Sequence, residues 1–317
     1  MSLAIADKAV RGNMFMNSYM RSIGFRNIGQ RELLEIYQET RRKPDHIQKV
    51  VDSDEYELAE IRKEIAPGMG LAFRGIIGED GIFVKEYYYP YRESDSVSTT
   101  EQVEIVRESD KESFLGICDE LRIGLDLVFF VQDMFHILKS EQRNRRFVNF
   151  GGVALSALAL EGAVLLPMKK TKRAQRKGRR VLSSSRRREL LAAARDGDED
   201  AYDELTFADM DTYTVISRRV ETEDIYSIVE TSFMPSGIEN DKFSILGEIL
   251  SIGMQINKLS SQRIYELKVN CNDLIFDVCI NERDLLGEPR IGRRFKGKIW
   301  MQGKVGAGRR TEKKRRE

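Results

Sequence analysis

The segment of this sequence with the clearest chemical potential lies near the C-terminus, where cations alternate with apolar and aromatic residues. If residues 294–303 form a strand, Phe295, Ile299 and Met301 share one face. The other face then carries the only tryptophan of the chain among basic side chains: Arg294, Lys296, Lys298 and Trp300. Small barrels hold single-stranded nucleic acid with such residues, because bases stack on aromatic rings beside Lys and Arg. The pattern predicts either a nucleic-acid-binding strand or a face buried against another part of the chain.

A second cationic feature is the run of twenty residues from Lys169 to Arg188, which contains eleven basic and no acidic side chains. Such a run repels itself and buries little surface, so we expect a solvated linker. The residues of this run that we expect to contact phosphates are Lys172, Arg173, Arg179 and Arg180. The favoured partner is therefore RNA or single-stranded nucleic acid.

The net charge of +1 conceals a strong asymmetry along the chain. Residues 169–188 carry +11 and residues 304–317 carry +5, so the remaining residues carry −15. An acidic body repels phosphate, which confines nucleic-acid binding to the linker, the basic tail and the strand at 294–303.

Two short motifs begin like ligand-binding loops but do not complete them. Gly292–Lys298 has the spacing of a phosphate-binding loop, yet Ile299 stands where a hydroxyl is needed and the context is a strand. Residues 196–200 begin like a calcium loop, but its sixth and twelfth positions are Ala201 and Phe207. We therefore interpret the first motif as part of a strand and the second as a solvated acidic helix face.

Histidines and cysteines are too few and too scattered to predict a metal centre or a nucleophile. His46 and His136 do not have metal-ligand spacing, and neither do Cys118, Cys271 and Cys279. An odd number of cysteines in a long chain favours a reducing, cytoplasmic location over a disulfide framework. We assign no catalytic residue, no metal ligand and no cofactor.

The composition excludes several classes of protein. Hydrophobic residues make up 41% of the chain, which is too many for a wholly disordered chain, and no collagen-like repeat is present. The most apolar segment, Val153–Met168, is 16 residues long and is interrupted at Glu161. A membrane span needs about 20 apolar residues, so we expect buried protein rather than a membrane helix.

The elements that position these residues predict an α+β protein with two domains, as its length indicates. Residues 1–15 are expected to be a disordered extension. Residues 16–168 should hold helices over 30–42 and 54–65 followed by an antiparallel sheet, ending in a hairpin that turns at Glu161-Gly162. The basic linker then spans 169–188.

After the linker, a short helical connector is expected over 189–221, split at Gly197 and capped by Asp198. Residues 222–305 predict a five-stranded, OB-like β-barrel, and 306–317 a disordered basic tail. Asn272-Asp273 predicts a tight hairpin turn. The expected barrel strands are 225–233, 243–256, 263–271, 274–280 and 294–303.

Several longer motifs, distributed over about residues 16–303, resemble a family of uncharacterised bacterial proteins. It is a domain of unknown function that is common in anaerobic Gram-positive species. The resemblance implies no activity, cofactor or partner. The segments that carry it are 20–25 (MRSIGF), 86–91 (EYYYPY), 114–122 (FLGICDELR), 160–167 (LEGAVLLP), 193–205, 216–223, 233–249, 276–281 and 287–300 (GEPRIGRRFKGKIW).

The sequence is compatible with three functional hypotheses. The first is a cytosolic, non-catalytic binding or scaffold protein that contacts RNA or single-stranded nucleic acid. The second is a protein–protein adaptor whose barrel and helical segment dock a partner, with the basic run as a spacer. The third is an enzyme with carboxylates in a cleft between domains, which a pocket of Asp or Glu with raised pKa would support and a filled interface would not.

Overall fold

The computed structural model describes residues 17–51, 57–108, 113–141, 152–167, 184–220, 225–237 and 240–306. Within these ranges lie fourteen strands and five α-helices, so the described protein is mostly β. The predicted extension at 1–15, most of the predicted linker (169–183) and the tail from 307 lie outside the described residues.

The N-terminal part is an antiparallel sheet of four strands that are neighbours in chain order. Helix α1 (Gln30–Arg42) precedes the sheet with the predicted bounds, and its apolar face joins the core beneath the sheet. A short 3₁₀ helix, Ser18–Ile23, precedes α1. The strands are β1 (His46–Val51), β2 (Glu57–Ala66), β3 (Met69–Ile77) and β4 (Phe83–Arg92).

The prediction of a helix over 54–65 is wrong, because its described residues belong to strand β2. Leu58, Ile61 and Ile65 have helical spacing, but residues 58–62 are all buried, since β2 is covered on both faces. Glu60 and Arg62 tolerate that burial by pairing with each other, Arg62 Nε lying 2.6 Å from the Glu60 carboxylate. Because Glu60 and Arg62 are charged, the sequence pattern resembles the polar face of a helix, although both side chains are buried.

The second sheet contains the other ten strands, and five of them close into a barrel. Neighbouring barrel strands are antiparallel except β8 and β12, which are parallel. Fully buried aromatic side chains such as Phe243, Phe276 and Phe295 fill the interior. In order around the barrel, the strands are β8 (Val153–Leu165), β12 (Leu274–Asn281), β11 (Arg263–Cys271), β10 (Lys242–Ile256) and β14 (Arg294–Val305).

The remaining strands extend this barrel at its margins. The C-terminal end of β14 pairs with β7, which continues through β6 to β5. β9 pairs with β10, and β13 pairs with β8. These elements are β5 (Val103–Glu108), β6 (Ser113–Glu120), β7 (Leu125–Val131), helix α2 (Met134–Glu141), β9 (Ser232–Pro235) and β13 (Leu285–Leu286).

The prediction of a barrel built only from residues 222–305 is wrong, because β8 supplies one of the five strands. The predicted hairpin at Glu161-Gly162 is instead part of the continuous strand β8. A Cβ atom at Gly162 would overlap the ring of Phe295, so this glycine allows close packing rather than a turn. The predicted strand over 225–233 is instead helix α5 (Ile225–Ile228) followed by β9.

The helical segment forms a hairpin of α3 (Ser184–Arg195) and α4 (Glu199–Val220). Its predicted division is confirmed, because Gly197 has a φ of 91° and the Asp198 carboxylate accepts a hydrogen bond from Ala201 N at 3.1 Å. The last five residues of the predicted linker, 184–188, belong to α3. In the barrel, the predicted turn at Asn272-Asp273 is also confirmed, with φ values of 53° and 66°.

Candidate functional site

Trp300 lies on the outer face of β14, opposite the barrel interior, but the chain itself covers it. Its indole ring packs against Tyr19 and Phe130, with ring centroids 5.4 and 5.3 Å away. The indole N–H donates to the Asp241 carboxylate at 2.6 Å, and only 7% of the residue is exposed. In this conformation the N-terminal 3₁₀ helix occupies the surface on which a base would stack.

The three cations predicted beside Trp300 also have partners in the chain. Arg294 is buried, and its guanidinium donates to three main-chain carbonyls at 2.7 to 3.0 Å. Lys296 donates to the Tyr226 hydroxyl, and its Nζ lies 4.2 Å from the centroid of that ring. The Lys298 Nζ is exposed and lies 3.1 Å from the Glu161 carboxylate. These contacts make Arg294 a structural clamp and leave Lys298 as the most accessible cation of the three.

The other cations of the predicted nucleic-acid site are Lys172, Arg173, Arg179 and Arg180. They lie outside the described residues, so their role stays a prediction. Only the β14 residues of that predicted site have a described position.

A layer of charge lies buried between the four-stranded sheet and the barrel, and sequence reasoning missed it. At its centre the Glu60 carboxylate accepts hydrogen bonds from Arg62 Nε at 2.6 Å, from the Tyr89 hydroxyl at 2.8 Å, and from Arg74. The Arg74 guanidinium donates onward to the hydroxyls of Tyr87 and Tyr89, each at 2.8 Å. We call this cluster and the residues bonded to it the charge layer.

The charge layer connects the two sheets. Glu93 accepts from Arg62 of β2 at 2.5 Å and from Lys304 of β14 at 3.1 Å. Gln132, which follows β7, donates to the Gln302 side chain of β14 at 2.7 Å, and its carbonyl accepts from Arg62 at 3.0 Å. The layer therefore fixes the four-stranded sheet against the barrel. The available sequence signal was the presence of charged residues within apolar segments, at Glu60, Arg62 and Arg74, but the charges at 60 and 62 also fit the polar face of a helix.

The carboxylates of the layer are held in the charged form. Burial alone would raise the pKa of Glu60, but the charges of Arg74 and Arg62 and the hydrogen bonds from Arg74 and Tyr89 lower it below the ordinary value. Burial would also raise the pKa of Glu93, but the charges of Lys304 and Arg62 and their hydrogen bonds outweigh this effect and lower it. Such carboxylates are poor general acids near neutral pH.

A cleft of about 650 Å³ opens between α3, the β6–β7 turn and the loop that precedes β5. Its polar centre is Arg122, whose Nε donates to Glu120 at 2.6 Å and whose terminal nitrogens donate to the carbonyls of Ser98 and Asp273 at 3.0 and 3.2 Å. The guanidinium is thus engaged within the chain. The lining residues are Val97, Ser98, Thr99, Thr100, Glu101, Glu120, Leu121, Arg122, Glu189 and Ala192.

The three cysteines are free and buried. Burial raises the pKa of Cys118, Cys271 and Cys279 to about 12 in each case. All three are therefore thiols at neutral pH, whereas nucleophilic chemistry needs the thiolate.

The outward side of α4 is the most apolar exposed helix surface of the described chain. Phe207 and Met210 are 70% and 62% exposed and lie on the side opposite Ala201 and Leu205, which pack against α3. Tyr202 is 65% exposed and lies at the margin of this side. Three exposed carboxylates lie beside them, at Glu199, Asp200 and Asp203. We call this surface the α4 face.

Within the described ranges, no three side chains of His, Cys, Asp or Glu are arranged to hold a metal ion. No helix within the same ranges is both long enough and apolar enough to cross a membrane. The candidate surfaces of the described chain are the exposed Lys298 of β14, the cleft at Arg122 and the α4 face.

The fold and these surfaces define a mostly β protein in which a closed five-stranded barrel is joined to a smaller antiparallel sheet by buried ion pairs. The family model described as a domain of unknown function with an E. rectale gene description (DUF3881) matches residues 20–303, and the chain belongs to this family. The resemblance inferred from the motifs is thereby confirmed. No curated protein and no solved structure matches the chain.

Proposed function

We propose that this protein is a non-catalytic binding protein that captures a protein partner through the α4 face. The observation that carries the proposal is the exposure of Phe207 and Met210 on the outward side of a helical hairpin, with Tyr202 exposed at its margin. Grouped apolar side chains in water are typical of interaction surfaces. Helices that dock into a groove present anchors about one turn apart, as Phe207 and Met210 do.

The charges around this face define the chemistry of the partner. Arg186 and Arg187 of α3 pair with Glu204 and Asp209 of α4, at 3.0 and 2.7 Å. The exposed carboxylates at 199, 200 and 203 lie on the outward side. A complementary partner has an apolar groove rimmed by Lys or Arg, because opposite charges steer association and exclude wrong partners.

The test places a photo-crosslinking amino acid at Thr206, in the centre of the α4 face, in cells of the source organism. We expect an adduct with one protein, which is then purified and titrated against the wild-type chain and Phe207→Asp. The substitution should weaken binding by roughly tenfold or more, since a central anchor is lost. The same crosslinker at the exposed loop residue Ile82 is the control. An adduct that Phe207→Asp leaves unchanged contradicts the proposal.

Nucleic-acid binding is the second candidate function, supported by the eleven basic residues between 169 and 188. Contacts of Lys172, Arg173, Arg179 and Arg180 with phosphates would release counterions and make binding salt-dependent. Salt-sensitive retention of RNA or single-stranded DNA that is lost on deletion of 169–183 supports it. Retention that is absent at about 50 mM salt, where phosphate contacts are favoured, overturns it.

A carboxylate-dependent enzyme has the least support of the three hypotheses. The buried carboxylates at Glu60, Glu93 and Glu120 have lowered pKa values and basic partners. The region between the four-stranded sheet and the barrel is filled by the charge layer and aromatic rings. An OB-type identity for the barrel and a cytosolic location remain parts of our proposal, supported by the five-strand closure and the free thiols. The closure does not support the predicted two-domain division, because β8 precedes the linker and still belongs to the barrel.

A further inference from the structure

The second half of strand β10 is an open sheet edge. Residues 242–248 pair with β14 on this side, and the loop before β14 continues the pairing as far as Ile249 through Gly292 and Arg293. A bulge between Ile249 and Ser251 then carries β10 beyond the barrel, where its pairing within the described residues is with β11 alone. The edge from Leu250 to Ile256 thus has no neighbouring strand in the described chain.

The direction of the backbone groups along this edge follows from the hairpin that ends it. Asn257 N donates to the Gln262 carbonyl at 2.9 Å, so this pair bonds inward. Because bonded and non-bonded pairs alternate in an antiparallel ladder, Ile252, Met254 and Ile256 direct their own N–H and C=O groups outward. Their side chains are 36%, 47% and 57% exposed.

The chemistry of the edge is unusual for this chain. Charged residues make up 32% of the sequence, yet the nine residues from Ile249 to Asn257 (ILSIGMQIN) include none. Exposed edges normally carry Lys or another charged residue, or Pro, which prevents pairing with another chain. An uncharged apolar edge with outward backbone groups is a template for strand addition.

We propose that two copies of this protein associate by antiparallel pairing of their β10 edges, with a two-fold axis at Met254. The sequence is self-complementary about that residue, because the axis places Ile252 opposite Ile256 of the second copy and Met254 opposite Met254. The absence of charge means that identical edges do not repel each other. Three such pairs provide about six backbone hydrogen bonds and merge the two apolar patches.

This surface is distinct from the α4 face, so the proposal stands or falls independently of the proposed function. The free edge, the self-complementary sequence and the lack of charge all concern β10. An extended segment of another protein would satisfy the backbone equally well, and the test separates that occupant from a second copy.

The first experiment measures the mass of the full chain by sedimentation over a range of micromolar concentrations. We expect a species of twice 36.5 kDa. Met254→Lys places two ammonium groups face to face at the axis and should weaken the dimer roughly tenfold or more. The matched control is Val106→Lys on the outer strand β5, which is 39% exposed and should leave the dimer intact.

The second experiment locates the axis. In a bonded antiparallel pair the two Cα atoms are about 5.5 Å apart, within the range of a disulfide. Met254→Cys should therefore form a covalent dimer under mild oxidation, whereas Val106→Cys should not. The native thiols do not interfere, since all three are buried.

Several outcomes overturn the proposal. A chain that remains monomeric at every concentration does so, as does a dimer that resists Met254→Lys or dissociates with Phe207→Asp instead. A monomer whose β10 edge pairs with an extended peptide of another protein assigns the edge to that partner and not to a second copy.

Discussion

The charge layer and the β10 edge reverse the usual distribution of polarity in a protein. In the layer, Glu60, Arg62 and Arg74 are almost wholly buried, and donors and acceptors of the same chain satisfy them. Along the edge, Ile252 and Met254 are exposed, and the described chain offers their outward backbone groups no strand. In these two regions, charged side chains are buried and apolar side chains are exposed.

The polar groups of the two regions are satisfied in different ways. Polar groups that lose water need a partner, and the layer supplies that partner from within the chain. The outward backbone groups of the edge are open to water, and in the proposed dimer a second copy replaces that water. A mutation in the layer should therefore change folding, whereas a mutation on the edge should change association.

The largest expected effect comes from Glu60→Gln. The substitution keeps the shape of the side chain but leaves the charges of Arg62 and Arg74 buried without their central anion. Breaking a buried ion pair on one side costs about 3–5 kcal/mol. Urea denaturation should show a loss of this size, or no folded protein at all. Glu79→Gln, in the exposed β3–β4 loop, is the control, and an equal change in both variants would refute a special role for the layer.

Acidification should weaken the layer and spare the edge. Because the pKa values of Glu60 and Glu93 are lowered, their contribution to stability is fully present above the ordinary glutamate value of about 4.3. It is lost as the pH falls through the lowered values. Urea titrations below about pH 4 should show a steep fall in the free energy of unfolding, with about 1.4 kcal/mol per unit of pKa shift.

Association through the β10 edge should not depend on pH. Residues 249–257 contain no titratable side chain. The proportion of dimer should therefore stay constant between about pH 8 and pH 5, where no group of the edge titrates. A dimer that dissociates within this interval would show that other, titratable surfaces hold it together.

Asp133→Asn should give a smaller, opposite effect. Burial raises the pKa of Asp133 to about 6, so the charged form is disfavoured in the folded state at neutral pH. Stability should increase as the pH falls from about 7 towards the unfolded value near 3.9, since the folded state then binds more protons. The amide keeps an acceptor for Val305 N, at 3.0 Å in the native chain. It should raise stability at pH 7 by at most about 3 kcal/mol, since the pKa shift spans about two units of about 1.4 kcal/mol each. A lower melting temperature would contradict this.

The smallest effect on folding is expected on the edge itself. Met254→Lys replaces an exposed side chain and should change the free energy of unfolding of the monomer by only about 0.5 kcal/mol or less. Urea denaturation at a protein concentration below the dissociation constant of the dimer measures this value. A loss comparable to that of Glu60→Gln would mean that Met254 is part of the core.

Local patterns in the sequence predicted the elements whose environment is simple. Helix α1 has one buried face, and the turn at Asn272-Asp273 contains residues that tolerate positive φ. β11 alternates inward and outward residues, as its sequence indicates. In each case neighbours along the chain determine the conformation.

The predictions that are wrong concern residues whose conformation or environment depends on contacts with distant parts of the sequence. The sequence pattern of β2 predicts a helix, because further partners that permit burial of Glu60 and Arg62, such as Arg74 and Glu93, lie outside this strand. Trp300 faces outward from the barrel as predicted, but only the structure shows Tyr19 covering it. The prediction divides β8 into two strands because Glu161-Gly162 resembles a turn. The reason for the glycine is the ring of Phe295, which is distant in sequence and leaves no room for a Cβ atom.

The position of β8 in the barrel also has a consequence for the synthesis of this protein. β8 ends at Leu165, whereas its barrel neighbours β12 and β14 begin at Leu274 and Arg294. Ribosomes add about 5–20 residues per second, so the strand leaves the exit tunnel several seconds or more before its partners exist. During that interval both of its edges await pairing. Unpaired strand edges favour aggregation, so the nascent chain is more prone to aggregate than the folded protein.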